Sequence, residues 1–125
     1  MLAHGVACWL VNTGWVGGPY RLGKRISIRH TRALLDAALS GALDGVETYA
    51  DPVFGFEVPT SCPGVPTDIL YPARAWPSED EYWDRYNQLA ASFIGNFRKL
   101  APECPLALEA AGPRPPEAVR AHLAR

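Results

Sequence analysis

The spacing of apolar residues changes several times along the chain, and each change marks an element. Val6 to Val11 (VACWLV) is continuously apolar, rich in β-branched and aromatic residues, and stops at Asn12, Thr13 and Gly14. Such a run predicts a strand buried on both faces, which needs neighbours on each side. Only five residues precede it, so those neighbours must come from later in the chain or from another chain. From Asn12 to Arg25 the pattern lapses into a loop holding Gly14, Gly17, Gly18 and Gly23, with Pro19 among them. Glycine at this density supplies backbone angles that other residues avoid and lets a ligand come close to the main chain. Ile26, Ser27 and Ile28 alternate as a short extended piece. A helical period then takes over from about Thr31 to Ser40, with Leu34, Leu35, Ala38 and Leu39 on one face and Gly41 at the stop.

Residues 42–76 mix short extended pieces with proline turns. Val46 to Tyr49 and Phe54 to Val58 are the expected strands, punctuated by Pro52, Pro59, Pro63, Pro66 and Pro72. The strongest pattern comes next. Ser78 and Glu81 have the spacing of a capping box, with Glu79 and Asp80 also favourable in a first turn. Tyr82, Tyr86, Leu89, Phe93, Phe97 and Leu100 then recur at steps of three and four, one long apolar stripe for core or interface. Pro102 and Pro105 end it. A short helix from Leu106 to Ala111, closed by Gly112 and Pro113, succeeds it, and residues 113–125 read as a frayed or weakly helical tail. No internal repeat or low-complexity tract is present. The elements together predict an α/β segment of mixed strands and helices.

Composition narrows the class. A chain of 125 residues allows one ordinary domain at most. Its net charge of −1, with both signs mixed along the chain, gives no electrostatic footprint for nucleic acid or an acidic membrane. Three cysteines, Cys8, Cys62 and Cys104, are odd in number and far apart, which argues against a disulfide framework and for a reducing cytoplasm. The apolar run at 6–11 is too short for a signal-peptide core or a membrane span. A soluble, cytoplasmic protein is the expectation.

Candidate chemistry is sparse. Gly18 to Arg25 (GPYRLGKR) misses the phosphate-loop pattern G-x-x-x-x-G-K-[ST] by one residue, and the miss falls at the magnesium ligand. Arg25 cannot replace that hydroxyl, because a guanidinium is a cation with donors only. The extended piece at 26–28 also departs from a phosphate loop, which runs straight into a helix whose N-terminus faces the anion. Arg25 still offers a planar cation able to stack on a purine or fork onto oxygens. Thr31 offers a hydroxyl toward a base edge. The structural alternative is that Arg25 pairs with a carboxylate and Thr31 caps the helix. His4, His30 and His122 are scattered, with no ligand spacing for a metal. Cys62, in a turn before Pro63 and Gly64, reads as a small buried hydrophobe with no histidine to activate it.

Several blocks together are similar to the ATP-dependent phosphoenolpyruvate carboxykinases. They are WLVNTGWVGGPY at 9–20, GKRISI at 23–28 and HTRA at 30–33, with DPVFGFEVPT at 51–60 and CPGVP at 62–66. The likeness thins through Trp76, Tyr82, Leu89, Ala90, Phe93, Asn96 and Phe97 and ends near Gly112, so residues 1–112 are expected to be one C-terminal segment of that fold. His4, Gly5 and Val6 match as well. Met1 is therefore expected to fall inside the fold, as in a truncated reading frame, a gene remnant or an expressed fragment.

The resemblance implies conversion of oxaloacetate and ATP to phosphoenolpyruvate, carbon dioxide and ADP in cytoplasmic gluconeogenesis, with Mg and Mn ions. By position it makes Arg25, Ile26 and Thr31 contacts to the adenosine part of ATP. The family's phosphate loop, metal ligands and substrate-gripping arginines lie upstream, so no catalytic or metal residue is assigned here. The expected partners are the N-terminal portion of the enzyme and the nucleotide. The competing expectation is a non-catalytic orphan fragment acting as a binding or interaction module. Two departures stand out. Arg21 occupies a place where the family favours glycine, and Tyr71 to Ala75 (YPARA) differs at a site expected to lie far from the nucleotide residues.

Overall fold

The structure is a computed structural model and describes residues 7–100, 108 and 110–114. The expectations for His4, Cys104, His122, Pro102 and Pro105, and for most of the short helix and the tail, lie outside those residues. The fold is mixed α/β, with two small sheets, three helices between residues 28 and 100, and further helical backbone at Leu108 and Ala110 among the described residues. It divides into two compact units, residues 1–47 with 59–75 and residues 48–58 with 76–125.

In the first unit the apolar run at 7–11 does not form the expected strand. Ala7 to Leu10 are exposed and unpaired in any ladder. A strand apolar on both faces is stable only when flanked and covered, and no described segment supplies that. Pairing starts later, with β1 (Trp15–Val16) antiparallel to β2 (Lys24–Arg25) in the register Trp15 to Arg25 and Val16 to Lys24. The Ile26 amide donates to the Gly14 carbonyl at 3.1 Å and extends this narrow ribbon.

Helix α1 (Ile28–Leu39) begins almost at once. It starts three residues earlier than the pattern predicts, because Ser27 is the cap. Ser27 has extended backbone angles, φ −65° and ψ 149°, and its side chain accepts from the His30 amide. The helix ends as expected, with Gly41 at φ +76° beyond the Ser40 cap. Its inner face packs Leu34, Ala37 and Ala38 against Leu43, Cys62, Val65 and Leu70. Leu70 belongs to α2 (Thr67–Leu70), which leads into a 3-10 turn at Pro72–Ala75.

The second unit is built on a hairpin and the long α3 (Glu79–Leu100). Strands β3 (Thr48–Ala50) and β4 (Glu57–Pro59) form the hairpin, slightly later than predicted. Asp51 organises its turn. One carboxylate oxygen accepts the amides of Val53 at 3.0 Å and Phe54 at 2.6 Å, and the other accepts the Tyr86 hydroxyl at 2.9 Å. Asp51 is only 8% exposed, and a carboxylate so buried is tolerable because these three donors replace water. Val53 and Ala90 beside it are fully buried, packed by Phe54, Trp83 and Tyr86. Ser78 caps α3 as its spacing predicts, its hydroxyl accepting from the Glu81 amide at 3.3 Å. The stripe itself is turned from expectation: Ala90 is at the centre, while Leu89 and Phe93 are about half exposed.

Tyr86 links sequence to stability. Burial first, then the Asp51 charge, hold its phenol pKa above the ordinary 10.0. The folded chain thus keeps a proton that the unfolded chain releases near pH 10. The corresponding stability is complete below that pH and declines as pH rises toward the folded value. The decline should stay well under the limit of ~1.4 kcal/mol per pH unit, since the half-buried ring is partly screened by solvent. Tyr86→Phe should cost about 1.5–2 kcal/mol near pH 7, by loss of a hydrogen bond to a charged group, and should flatten the alkaline decline. Urea unfolding monitored from pH 7 to 11 checks both.

Candidate functional site

The glycine-rich loop joins β1 to β2, and its closure is set by contact distances. The amides of Leu22 and Gly23 both donate to the Pro19 carbonyl, at 3.0 and 2.9 Å, winding the loop into a tight turn. At Gly23 the main chain passes against itself. A Cβ there would lie 2.6 Å from the Gly18 carbonyl oxygen and 2.8 Å from that of Val16. Only glycine fits. Arg21 has φ +75°, the conformation that glycine adopts without strain, so the departure noted in the sequence retains the glycine backbone with a side chain attached. Its guanidinium lies 5.5 Å from the Tyr20 ring centre, and Tyr20 in turn meets Trp15 edge-on at 5.3 Å.

The YPARA segment, expected to lie far from Arg25, Ile26 and Thr31, approaches the loop at its start, where a Cβ on Gly17 would lie 3.1 Å from the Ala75 carbonyl oxygen. The 3-10 turn at 72–75 brings that carbonyl back to the start of the loop, a proximity that linear distance conceals.

The predicted contact residues lie where the loop hands over to α1. Arg25 ends β2 and is exposed, Ile26 comes next and is half-buried, and Thr31 sits half-buried in the first turn of the helix. Neither structural alternative is realised. Among the described residues, Arg25 makes no ion pair with a carboxylate, and the cap is Ser27 rather than Thr31, whose own amide donates to the Ser27 carbonyl at 2.9 Å. Cross-strand pairing sets Arg25 opposite the exposed Trp15, on the same side of the ribbon. Lys24, Arg25, Arg29 and Arg32 all fall within nine residues, and the first turn of α1 has no acidic side chain. The positive end of the helix dipole adds to that cationic field, which favours an anionic ligand.

Other candidates resolve simply. Cys62 is buried and its thiol is pushed above its ordinary value by desolvation, so it is an inert core residue. A concavity of about 440 Å³ in the second unit is lined mainly by Phe93, Ile94, Phe97, Leu108 and Pro113, with Arg98 and Arg114 contributing, and includes none of the predicted contacts. Among the described residues no three His, Cys, Asp or Glu side chains converge to hold a metal ion. No helix among them is long and apolar enough to cross a membrane.

These features define a mixed α/β segment with a glycine-closed loop flanked by cations. The family profile of phosphoenolpyruvate carboxykinase matches residues 1–68. The chain is 48% identical over 110 residues to phosphoenolpyruvate carboxykinase (ATP) 2 of Moorella thermoacetica, covering 88% of this chain and 21% of that protein. It is 50% identical over 99 residues to the phosphoenolpyruvate carboxykinase (ATP) of Pelobacter propionicus, covering 79% of this chain and 19% of the relative. The Dictyostelium discoideum enzyme of the same name is 45% identical over 114 residues, or 91% of this chain and 20% of that one. The chain belongs to the ATP-dependent phosphoenolpyruvate carboxykinase family, and it spans about a fifth of the length of the curated relatives it matches.

Two substitutions test the loop. Gly23→Ala should destabilise the first unit by about 3 kcal/mol, because carbonyl oxygens at 2.6 and 2.8 Å cannot yield as a flexible side chain would. Arg21→Gly should have the opposite sign, a gain of up to about 1 kcal/mol as positive-φ strain is relieved against the added freedom of the unfolded chain. Thermal unfolding followed by Trp15 and Trp9 fluorescence, with Trp76 and Trp83 replaced by phenylalanine, reads both.

Proposed function

We propose that this chain is the adenosine-gripping segment of an ATP-dependent phosphoenolpyruvate carboxykinase, working in cytoplasmic gluconeogenesis. The observation that carries the reading is the placement of Arg25, Ile26 and Thr31 at the junction of β2 and α1, beside a loop closed by Gly23. The exposed Arg25 guanidinium, with no carboxylate partner among the described residues, is available to stack on a purine. Ile26 offers the base or sugar an apolar contact, and the Thr31 hydroxyl can donate or accept at a base or ribose edge. The surrounding cations draw in the charged nucleotide.

In the whole enzyme, oxaloacetate loses carbon dioxide and the resulting enolate oxygen takes the γ-phosphoryl group of ATP, leaving phosphoenolpyruvate and ADP. Phosphoryl transfer of this kind depends on positioning and on charge neutralisation by metal, lysine and arginine. The metal ligands are assigned to the part of the polypeptide that precedes this segment in the family, together with the phosphate loop. The contribution of this chain is orientation: it fixes the adenosine end so that the triphosphate extends toward that machinery. A loss of uniform binding then falls on the Michaelis constant for ATP more than on turnover.

The test uses a chimaera in which this chain replaces the matching segment of the Moorella relative. Arg25→Ala should raise KM for ATP about tenfold, equivalent to ~1.4 kcal/mol, and Thr31→Ala about threefold, with little change in KM for oxaloacetate. An unchanged KM for ATP in Arg25→Ala would overturn the assignment.

A further inference from the structure

Among the described residues, Arg21 is the one residue other than glycine with a positive φ, +75°. A side chain in that conformation strains the backbone, and strain of this kind collects where a loop meets a ligand. The side chain belongs to an exposed row. Its guanidinium carbon is 5.5 Å from the Tyr20 ring centre, Tyr20 meets Trp15 edge-on, and Trp15 stands across the ladder from Arg25. Tyr20 and Trp15 are 70% and 43% exposed, so a line of cation, ring, ring and cation faces solvent. The charge around it is of one sign. Arg21, Lys24, Arg25, Arg29 and Arg32 fall within twelve residues, all of them exposed, and no Asp or Glu occurs between Ala7 and Leu35. Arg29 and Arg32 sit three apart on α1, a like-charge spacing that costs helix stability. None of the five makes an ion pair among the described residues.

We propose that Arg21 is a second guanidinium grip on the nucleotide, holding its polyphosphate from the tip of the loop while Arg25 holds the base. The proposal rests on the reading of Arg25, Ile26 and Thr31 as adenosine contacts. A guanidinium forks onto two phosphate oxygens at once, and the Tyr20 ring beneath it limits the directions in which it points. Uncompensated like charges on one exposed patch are neutralised by a multiply charged anion, not by a neutral nucleoside. Arg21 thus gives up backbone stability for ligand affinity, and its removal moves the two in opposite directions. A purely structural role, in which Arg21 clamps Tyr20 to shape the loop, moves both the same way.

The experiment compares Arg21→Gly and Arg21→Lys in the Moorella chimaera. Arg21→Gly should raise KM for ATP about threefold at low salt with KM for oxaloacetate unmoved, while the thermal midpoint without nucleotide stays level or rises. The ratio to wild type should shrink toward unity as KCl is raised from about 0.05 to about 0.5 M, because added salt screens exposed charges. Arg21→Lys keeps both the charge and the strained backbone and should recover most of the affinity. Inhibition by adenosine, which carries no phosphate, should be the same in wild type and Arg21→Gly. An unchanged KM for ATP overturns the proposal, as does an equal loss toward adenosine or a midpoint that falls together with affinity. Titration of the 125-residue chain itself gives a second reading. The Arg21 Nε–H resonance should shift with ATP and stay still with adenosine, and any other pattern overturns the proposal. Arg25→Ala, assayed in the same chimaera, separates the two ideas. A raised KM for ATP in Arg25→Ala beside a silent Arg21→Gly removes the phosphate grip and leaves the adenosine reading standing.

Discussion

The first unit depends on one close approach of main chain to main chain. At Gly23 the returning strand passes the carbonyl oxygens of Gly18 and Val16 with no room for a side chain. That contact brings β2 into register with β1, and the register places the residues downstream. Arg25 comes opposite Trp15, Ile26 bonds to Gly14, and Ser27 is left in the extended conformation that starts α1. Arg25, Ile26 and Thr31 are therefore positioned by backbone geometry rather than by side-chain networks. The cost appears at Arg21, which holds a positive φ that the turn demands of whichever residue stands there. A loop so constrained is suited to presenting main chain and a few side chains to a ligand with little rearrangement.

The second unit reaches order by a different route. Its organising group is a buried charge, the Asp51 carboxylate, shared between a turn and a helix. The two amides fix the turn at Val53 and Phe54, and Tyr86 ties α3 to that turn across 35 positions of sequence. Phe54 then meets Tyr86 and Phe93 at ring separations of 5.3 and 5.6 Å, so the polar anchor seeds an aromatic cluster. Removing such a carboxylate strands its donors, which is why one hydrogen-bonded acid can matter more than the apolar contacts around it. The Arg114 amide bonds to the Val53 carbonyl at 2.7 Å, attaching the 112–114 stretch to the same turn.

How much of this is legible in the residues alone depends on how local each cause is. Ser78 and Glu81 state the start of α3 in four positions, and Gly41 states the end of α1 in one. The start of α1 is misplaced in the sequence because Thr31 is an acceptable cap and Ser27 reads as part of an extended piece; its extended backbone, just after the strand pairing, is what makes Ser27 the cap. Ala90 escapes the apolar pattern as the centre of the α3 face because a methyl group is a weak hydrophobic signal. It is its small size that lets the helix sit close to the Val53 turn. The approach of Ala75 to Gly17 joins residues 58 positions apart and has no local signature at all. For the site, the glycines announce a ligand-ready loop, while the roles of Arg25 and Thr31 stay balanced between contact and structure. The structural roles require a carboxylate partner and a capping geometry, and neither is present among the described residues.

Apolar surface is unevenly used along α1. A self-contained domain of this size hides the apolar faces of its helices, yet α1 leaves Ile28 and Leu39 more than 70% exposed. Placing a leucine on water costs no specific contact but gives up the burial free energy, about 1.5–3 kcal/mol per large side chain. Ile28 and Leu39 in one line, with Leu35 partly exposed between them, find no apolar cover among the described residues. The cationic cluster of Lys24, Arg25, Arg29 and Arg32 runs from β2 into the first turns of the same helix.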